Sequence, residues 1–169
     1  MAESAISGDL GALIYVDLNN FKAINDTLGH NQNDAALQAA ANLMAESAGP
    51  GDLVGRIGGD EFALWLRVGS AADAEERAER LTRLAGALSV YSENLPAPLG
   101  MAIGIAVFNS DSDEEINELF ARADHAMYAA KRDPERDFVL APPAHKSADK
   151  AATETAVNMA AERSDGTVR

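Results

Sequence analysis

The sequence predicts an α/β sandwich in which a mixed central sheet is flanked by helices. Two observations carry this prediction. Apolar runs too short for a helix alternate with stretches of helical periodicity, so strands and helices take turns along the chain. Two strand-like runs also flank Gly58-Gly59-Asp60-Glu61, and a pair of glycines followed by aspartate between such runs reads as a hairpin turn.

Leu13–Val16, ending at Asp17, is a buried strand on this reading. Asn33–Met44 sets Ala36, Leu37, Ala40, Leu43 and Met44 on one helical face. Gly49-Pro50-Gly51-Asp52 is turn chemistry, and Leu53–Ile57 and Phe62–Val68 form the two arms of the hairpin. Ala74–Leu88 is a second amphipathic helix, with Ala74, Ala78, Leu81, Leu84, Ala85 and Leu88 inward. Leu99–Phe108 reads as a central strand. Asp111 or Ser112 is placed to cap a helix whose inner face is Ile116, Leu119, Phe120, Ala123, Met127 and Ala130. Asp137–Leu140 is a last short strand. From Ala141 onward prolines, small residues and charges replace large apolar ones. One domain is therefore expected over residues 1–140, with a disordered tail over 141–169.

A chain of 169 residues suffices for one domain with its own core. The absence of cysteine excludes disulfides and thiolate metal sites. A net charge of −13 argues against non-specific binding to nucleic acid or to an anionic membrane, but not against a nucleotide whose phosphates are offset by a cation. No apolar run approaches the roughly 20 residues of a membrane span. The first residues lack the basic and apolar regions of a signal peptide. A cytoplasmic protein is expected.

Two acidic positions stand out chemically. Asp17 lies at the C-terminal end of an apolar strand, and Asp60-Glu61 lie in the hairpin turn. Carboxylates brought together at strand ends suit Mg2+, which takes oxygen ligands and is usually held by a few carboxylates plus substrate phosphates. Gly58 and Gly59 let backbone approach a ligand with no side chain intervening. Taken singly, each of these features is also ordinary: acidic residues in turns and at strand ends are usually solvated, and Asp34 also sits where it would cap the helix that follows it.

Three ordered segments resolve this ambiguity. Arg56–Phe62 (RIGGDEF) matches the motif that names the GGDEF family, Val16–Asp34 (VDLNNFKAINDTLGHNQND) resembles that family's metal and nucleotide segment, and Ala121–Lys131 (ARADHAMYAAK) is similar to its C-terminal helix. The resemblance implies a palm-like nucleotidyl cyclase fold with its active site at a β-hairpin turn. It implies a diguanylate cyclase, which condenses two GTP into cyclic di-GMP and two pyrophosphates, as a homodimer with Mg2+ or Mn2+. By the same resemblance Asp17 and Glu61 are the principal metal carboxylates, with the Leu18 carbonyl as a further ligand. Asp60 is a metal ligand or a proton acceptor. Gly58 and Gly59 lie against the nucleotide. The backbone amides at Asn20 and Phe21, with Lys22, hold the terminal phosphates, and Lys131 adds a phosphate contact. Asn25 and Asp34 read guanine, which suits their chemistry, since a carboxylate accepts from guanine N1–H and N2–H. Both metal carboxylates are expected at the surface of a cleft.

The chain departs from the family pattern in places. The helix and D-x-L-T turn that usually precede the first strand are missing from its opening residues, where a regulatory domain is expected to join. The product-binding R-x-x-D has Gly49 in place of arginine, with Asp52 retained. After Lys131 the usual G-R-N gives way to Pro134 and Glu135, with Arg136 one residue late, and a common serine is Ala102. The alternative is a catalytically silent GGDEF module that binds GTP and regulates a neighbouring domain or partner.

Overall fold

The computed structural model describes residues 10–93, 95–133 and 135–144. Its strands are β1 (Leu10–Asn19), β2 (Leu53–Gly58), β3 (Glu61–Arg67), β4 (Gly100–Asn109) and β5 (Phe138–Leu140). They form one sheet in the order β2-β3-β1-β4-β5, antiparallel except for the parallel pair β4–β5. The helices are α1 (Phe21–Leu28), α2 (His30–Ser47), α3 (Ala71–Ala85) and α4 (Ile116–Arg132), and a 3₁₀ helix over Gly86–Ser92 prolongs α3. The predicted mixed sheet flanked by helices is thus the architecture of the chain.

The central strands are covered on both faces, and their side chains sort by parity, as a pleated strand requires. Ala12, Ile14, Val16 and Leu18 of β1, Phe62, Leu64 and Leu66 of β3, and Met101, Ile103 and Ile105 of β4 join Ile24 and the inner residues of α2 and α3 in the larger core. The opposite parity, with Leu13 and Tyr15 of β1, Ala63 and Trp65 of β3 and Ala106 and Phe108 of β4, packs against Leu119, Ala123 and Ala126 of α4. This second layer is thin because its helix presents mostly alanine.

Gly104 explains how α4 comes so close. A Cβ at this position would lie 2.0 Å from the Ala123 carbonyl oxygen and 2.2 Å from the Met127 amide nitrogen. Helix backbone therefore rests directly on strand backbone, an approach that only glycine permits. Ala123, Met127 and Lys131 follow one another at four-residue steps, so they form one row along the inner side of the helix.

Several boundaries differ from those read in the sequence. β1 runs on through Asp17 to Asn19, because Asp17 still pairs with Ala102 and Asn19 with Gly100. The segment after it forms α1. Helix α2 begins at His30 behind Gly29, so Asp34 lies in its second turn and is not its cap. Helix α3 starts at Ala71, with the Ser70 hydroxyl accepting from the Asp73 amide at 3.1 Å. Helix α4 is capped by neither Asp111 nor Ser112. Glu115 is its N-cap and forms a reciprocal capping box with Glu118. Ile116 is thereby the first residue of the helix, ahead of the turn that packs, and is 60% exposed instead of inward. Beyond β5 the chain stays tied to the fold, since the Ala141 amide donates to the Ile105 carbonyl at 2.7 Å and Arg122 donates to the Pro142 carbonyl at 2.7 Å. The expected tail lies, from residue 145 on, outside the described residues. Among the described residues no helix is long and apolar enough to cross a membrane.

Replacing Gly104 by alanine forces a methyl into the α4 backbone. Overpacking of this kind costs about 2–3 kcal/mol, and Gly104→Ala is expected to lower the urea midpoint accordingly. Gly55→Ala, where a Cβ meets nothing within 4 Å, serves as the control. Equal losses in the two variants would contradict the backbone contact.

Candidate active site at the hairpin turn

The site forms where β1 ends beside the turn between β2 and β3. Register alone brings its carboxylates together, because Asp17 of β1 is the direct cross-strand partner of Glu61 of β3. Directly opposed residues on paired strands have Cβ atoms only about 5 Å apart. On its other side Asp17 faces Ala102 of β4.

The turn itself is held from both sides. Gly59 sits at φ 45°, in the left-handed region that favours glycine. Its carbonyl accepts two hydrogen bonds from the Arg56 guanidinium, at 2.9 Å from Nε and 2.6 Å from Nη2. The Asp60 carbonyl accepts from the Leu18 amide at 3.1 Å, which ties the turn to the end of β1. The β2–β3 register shifts between Arg56 and Gly58, so the strand is bulged just before the turn. A Cβ on Gly58 or Gly59 would meet nothing within 4 Å, so both glycines border open space. Strand parity alone leaves the direction of Arg56 open, and only the folded turn shows what it grips.

Asp17 is 7% exposed, so it does not lie open at the surface of a cleft as expected. Lys131, on the last turn of α4, covers it and donates from Nζ to Asp17 Oδ1 at 2.6 Å. Burial pushes the Asp17 carboxyl above its ordinary value, the Lys131 hydrogen bond and charge pull it back in part, and the charge of Asp60 adds to the rise. Tyr15, two residues earlier on the same face, is pushed up by burial first and then by the negative charge of Glu61. Negative potential therefore concentrates at this strand end, where a cation would be drawn.

The donor set fits such a cation in a specific way. Two carboxylates on paired strands, with Asp60 and the Leu18 carbonyl beside them, offer oxygen ligands only. Among the described residues no three His, Cys, Asp or Glu side chains gather to cage a metal by themselves. That arrangement suits Mg2+, which keeps several waters and is commonly held by one or two carboxylates plus substrate phosphates.

The residues expected to face a nucleotide through α1 and α2 lie on the adjoining helices. Asn20 adopts φ 64°, a left-handed value that asparagine tolerates better than most residues, and its Nδ2 donates to the Pro98 carbonyl at 2.8 Å. This corner turns β1 into α1, so the amides at Phe21 and Lys22 open the helix, where backbone N–H groups lack intrahelical partners. Asp34 lines a groove of about 550 Å³ between α2 and β2, together with Leu37, Gln38, Asn42, Gly55 and Arg56. Asn25 is half-buried on α1 and is not among the residues lining that groove. Arg136 pairs with Asp133 at 3.2 Å on the surface, and Pro134 lies outside the described residues.

The R-x-x-D position is filled by an internal clasp. Asp52 accepts from the Gly49 amide at 2.7 Å and the Arg67 amide at 2.9 Å, and forms an ion pair with Arg77 of α3. Burial alone would push its carboxyl up, but these hydrogen bonds and the Arg77 charge together hold it below the ordinary value. Gly49 borders this pair, since a Cβ there would stand 3.4 Å from Asp52 Oδ2, in ordinary van der Waals contact.

Comparison with known proteins identifies the family and the fold. Residues 2–137 match the family described as diguanylate cyclase, GGDEF domain. The diguanylate cyclase DgcM of Escherichia coli K12 is 38% identical over 141 residues, which cover 83% of this chain and 33% of that protein. Two solved structures are similar throughout the fold. The GGDEF domain of YfiN (TpbB) from Pseudomonas aeruginosa has a TM-score of 0.68 at 33% identity, covering 80% of this chain and 84% of that one. The active GGEEF domain of a diguanylate cyclase from Vibrio cholerae has a TM-score of 0.69 at 26% identity, covering 80% and 85%. The chain spans a third or less of the length of the curated relatives it matches. A family match over most of the chain, and a sheet that sets the motif's glutamate opposite the strand-end aspartate, place this protein in the GGDEF family of diguanylate cyclase domains.

Proposed function

We propose that this domain is a working diguanylate cyclase that joins two GTP into cyclic di-GMP as a homodimer. The observation that carries the reading is the direct pairing of Asp17 with Glu61, next to a turn whose glycines border open space. On this reading Asp17 and Glu61 hold Mg2+, with the Leu18 carbonyl and Asp60 completing the oxygen set. Bound there, the ion would supply a lowered hydroxyl pKa and an offset to phosphate charge.

The chain's own residues account for the rest. Lys22 and the first amides of α1 receive the terminal phosphates, as a helix N-terminus does for anions. Asp34 accepts from the guanine edge within the α2–β2 groove, and Asn25 serves the remaining edge. Each 3′-oxygen attacks the α-phosphorus of the partner's GTP, pyrophosphate leaves, and two such steps close the ring. Asp60 in the turn is the candidate to take the hydroxyl proton. Each subunit brings only one of the two reactants, so activity requires the dimer. The reading is tested by incubating the protein with GTP and Mg2+ and identifying products by mass spectrometry. Bound GTP without cyclic di-GMP would instead identify a silent module.

Glu61→Gln and Asp17→Asn keep shape and remove charge. Each is expected to cut product formation by about a hundredfold or more, the scale on which preorganised electrostatic groups act, with circular dichroism unchanged. Activity near that of the parent protein would remove the residue from the mechanism.

Asp34→Ala is expected to weaken GTP binding and narrow the preference over ATP, because a hydrogen bond between the guanine edge and a charged carboxylate is worth about 1.5–3 kcal/mol. Calorimetry with both nucleotides measures this. Asp34 does not cap α2, so thermal stability should hold. Unchanged GTP affinity would exclude Asp34 from base reading.

Feedback is expected to be weak. Arginine is absent at position 49, and Asp52 is already engaged by Gly49, Arg67 and Arg77. Loss of a bidentate arginine weakens product binding by about ten- to a hundredfold. Titrating cyclic di-GMP at fixed GTP checks this, and submicromolar non-competitive inhibition that disappears in Asp52→Ala would contradict it.

A further inference from the structure

Lys131 holds the carboxylate on which the proposed metal site depends. Its Nζ stands 2.6 Å from Asp17 Oδ1, and the Asp17 side chain is only 10% exposed. A carboxylate so buried requires a positive partner, since an unpaired buried charge is strongly unfavourable. The ammonium supplies that charge in the nucleotide-free protein. Resting on the reading of Asp17 as a metal carboxylate, we propose that Lys131 stands in for the cation and passes to the incoming phosphates when metal and nucleotide arrive together. The lysine thereby keeps free divalent ions from the site until substrate accompanies them.

The geometry suits such an exchange. The Lys131 side chain is 42% exposed, so its head has an open path to solvent. The ammonium rides on a flexible four-carbon stem and binds phosphate as a point charge. Backbone contact at Gly104 fixes α4 against the sheet one and two turns earlier, at Met127 and Ala123, so the transfer needs rotation of one side chain and no movement of the helix. Because coupling is reciprocal, nucleotide that draws Lys131 away raises metal affinity by the factor by which metal raises nucleotide affinity.

The test titrates Mn2+ into the nucleotide-free full chain and reads free ion by electron paramagnetic resonance. Lys131→Met keeps the stem and removes the charge. It is expected to raise Mn2+ affinity by about tenfold, the equivalent of one charge-assisted hydrogen bond relieved, while Lys131→Arg stays within about twofold of the parent. Equal affinity in the parent and Lys131→Met overturns the proposal, including the case in which neither binds. Asp17→Asn is expected to abolish the gain in the Lys131→Met background. Binding that survives Asp17→Asn would mean that the ion sits elsewhere, and would sink the metal-site reading along with the proposal. A second measurement needs no variant. Saturating Mn2+ is expected to raise acylation of the Lys131 amine several-fold by peptide mass spectrometry, and an unchanged rate overturns the exchange.

Discussion

The contact between the α4 backbone and β4 at Gly104 governs how the site is built. With no Cβ between them, the helix settles onto the strand at Ala123 and Met127. The next residue in that row is Lys131, which reaches Asp17 across 114 positions of sequence. A bulkier residue at 104 would lift the helix and carry the ammonium away from the carboxylate. The alanines at 123, 126 and 130 belong to the same constraint, since larger side chains on the inner face of α4 would hold the two backbones apart. A packing requirement in the middle of the domain thus sets the electrostatics of its edge.

The opposite wall of the site depends on hydrogen bonds and not on packing. The turn residues have little to bury, and their carbonyls are claimed by Arg56 and by the Leu18 amide. Such a turn is fixed before any ligand arrives, so little conformational entropy remains to be lost on binding. Asp17 and Glu61 then meet through strand register, which the hydrophobic alternation of β1 and β3 determines. A slip of one residue in either strand would turn its carboxylate to the opposite face, away from the other.

Most of the fold is legible in the sequence, because local patterns encode it. The short apolar run before Asp17, the two hairpin arms and the alternating inner faces of α2 and α3 each announce themselves by period. Helix α1 does not. Its eight residues contain asparagine, aspartate and threonine, poor helix formers that hide the pattern. The start of α2 is obscured for a related reason. Gly29 offers no side-chain cap there, so cap rules point onward to Asp34. At the site, the acidic strand end and the glycine turn can be read from spacing and family resemblance. The Lys131–Asp17 pair, the Arg56 grip and the Asp52–Arg77 clasp cannot, because each joins side chains whose directions only the finished fold decides.

The bulge before the turn has an effect at the rim of the sheet as well. Strand β2 is one of the two edge strands and is exposed along its whole length, with Leu53 at 67% and Ile57 at 48% exposure. An open, apolar edge of this kind is a template on which foreign strands can stack and aggregate. The register shift between Arg56 and Gly58 interrupts the row of free amides and carbonyls and twists the strand. Arg56 sets a charge at the same place. A distortion that shapes the turn also blunts the template, leaving an invading strand only the short stretch before Arg56 to follow.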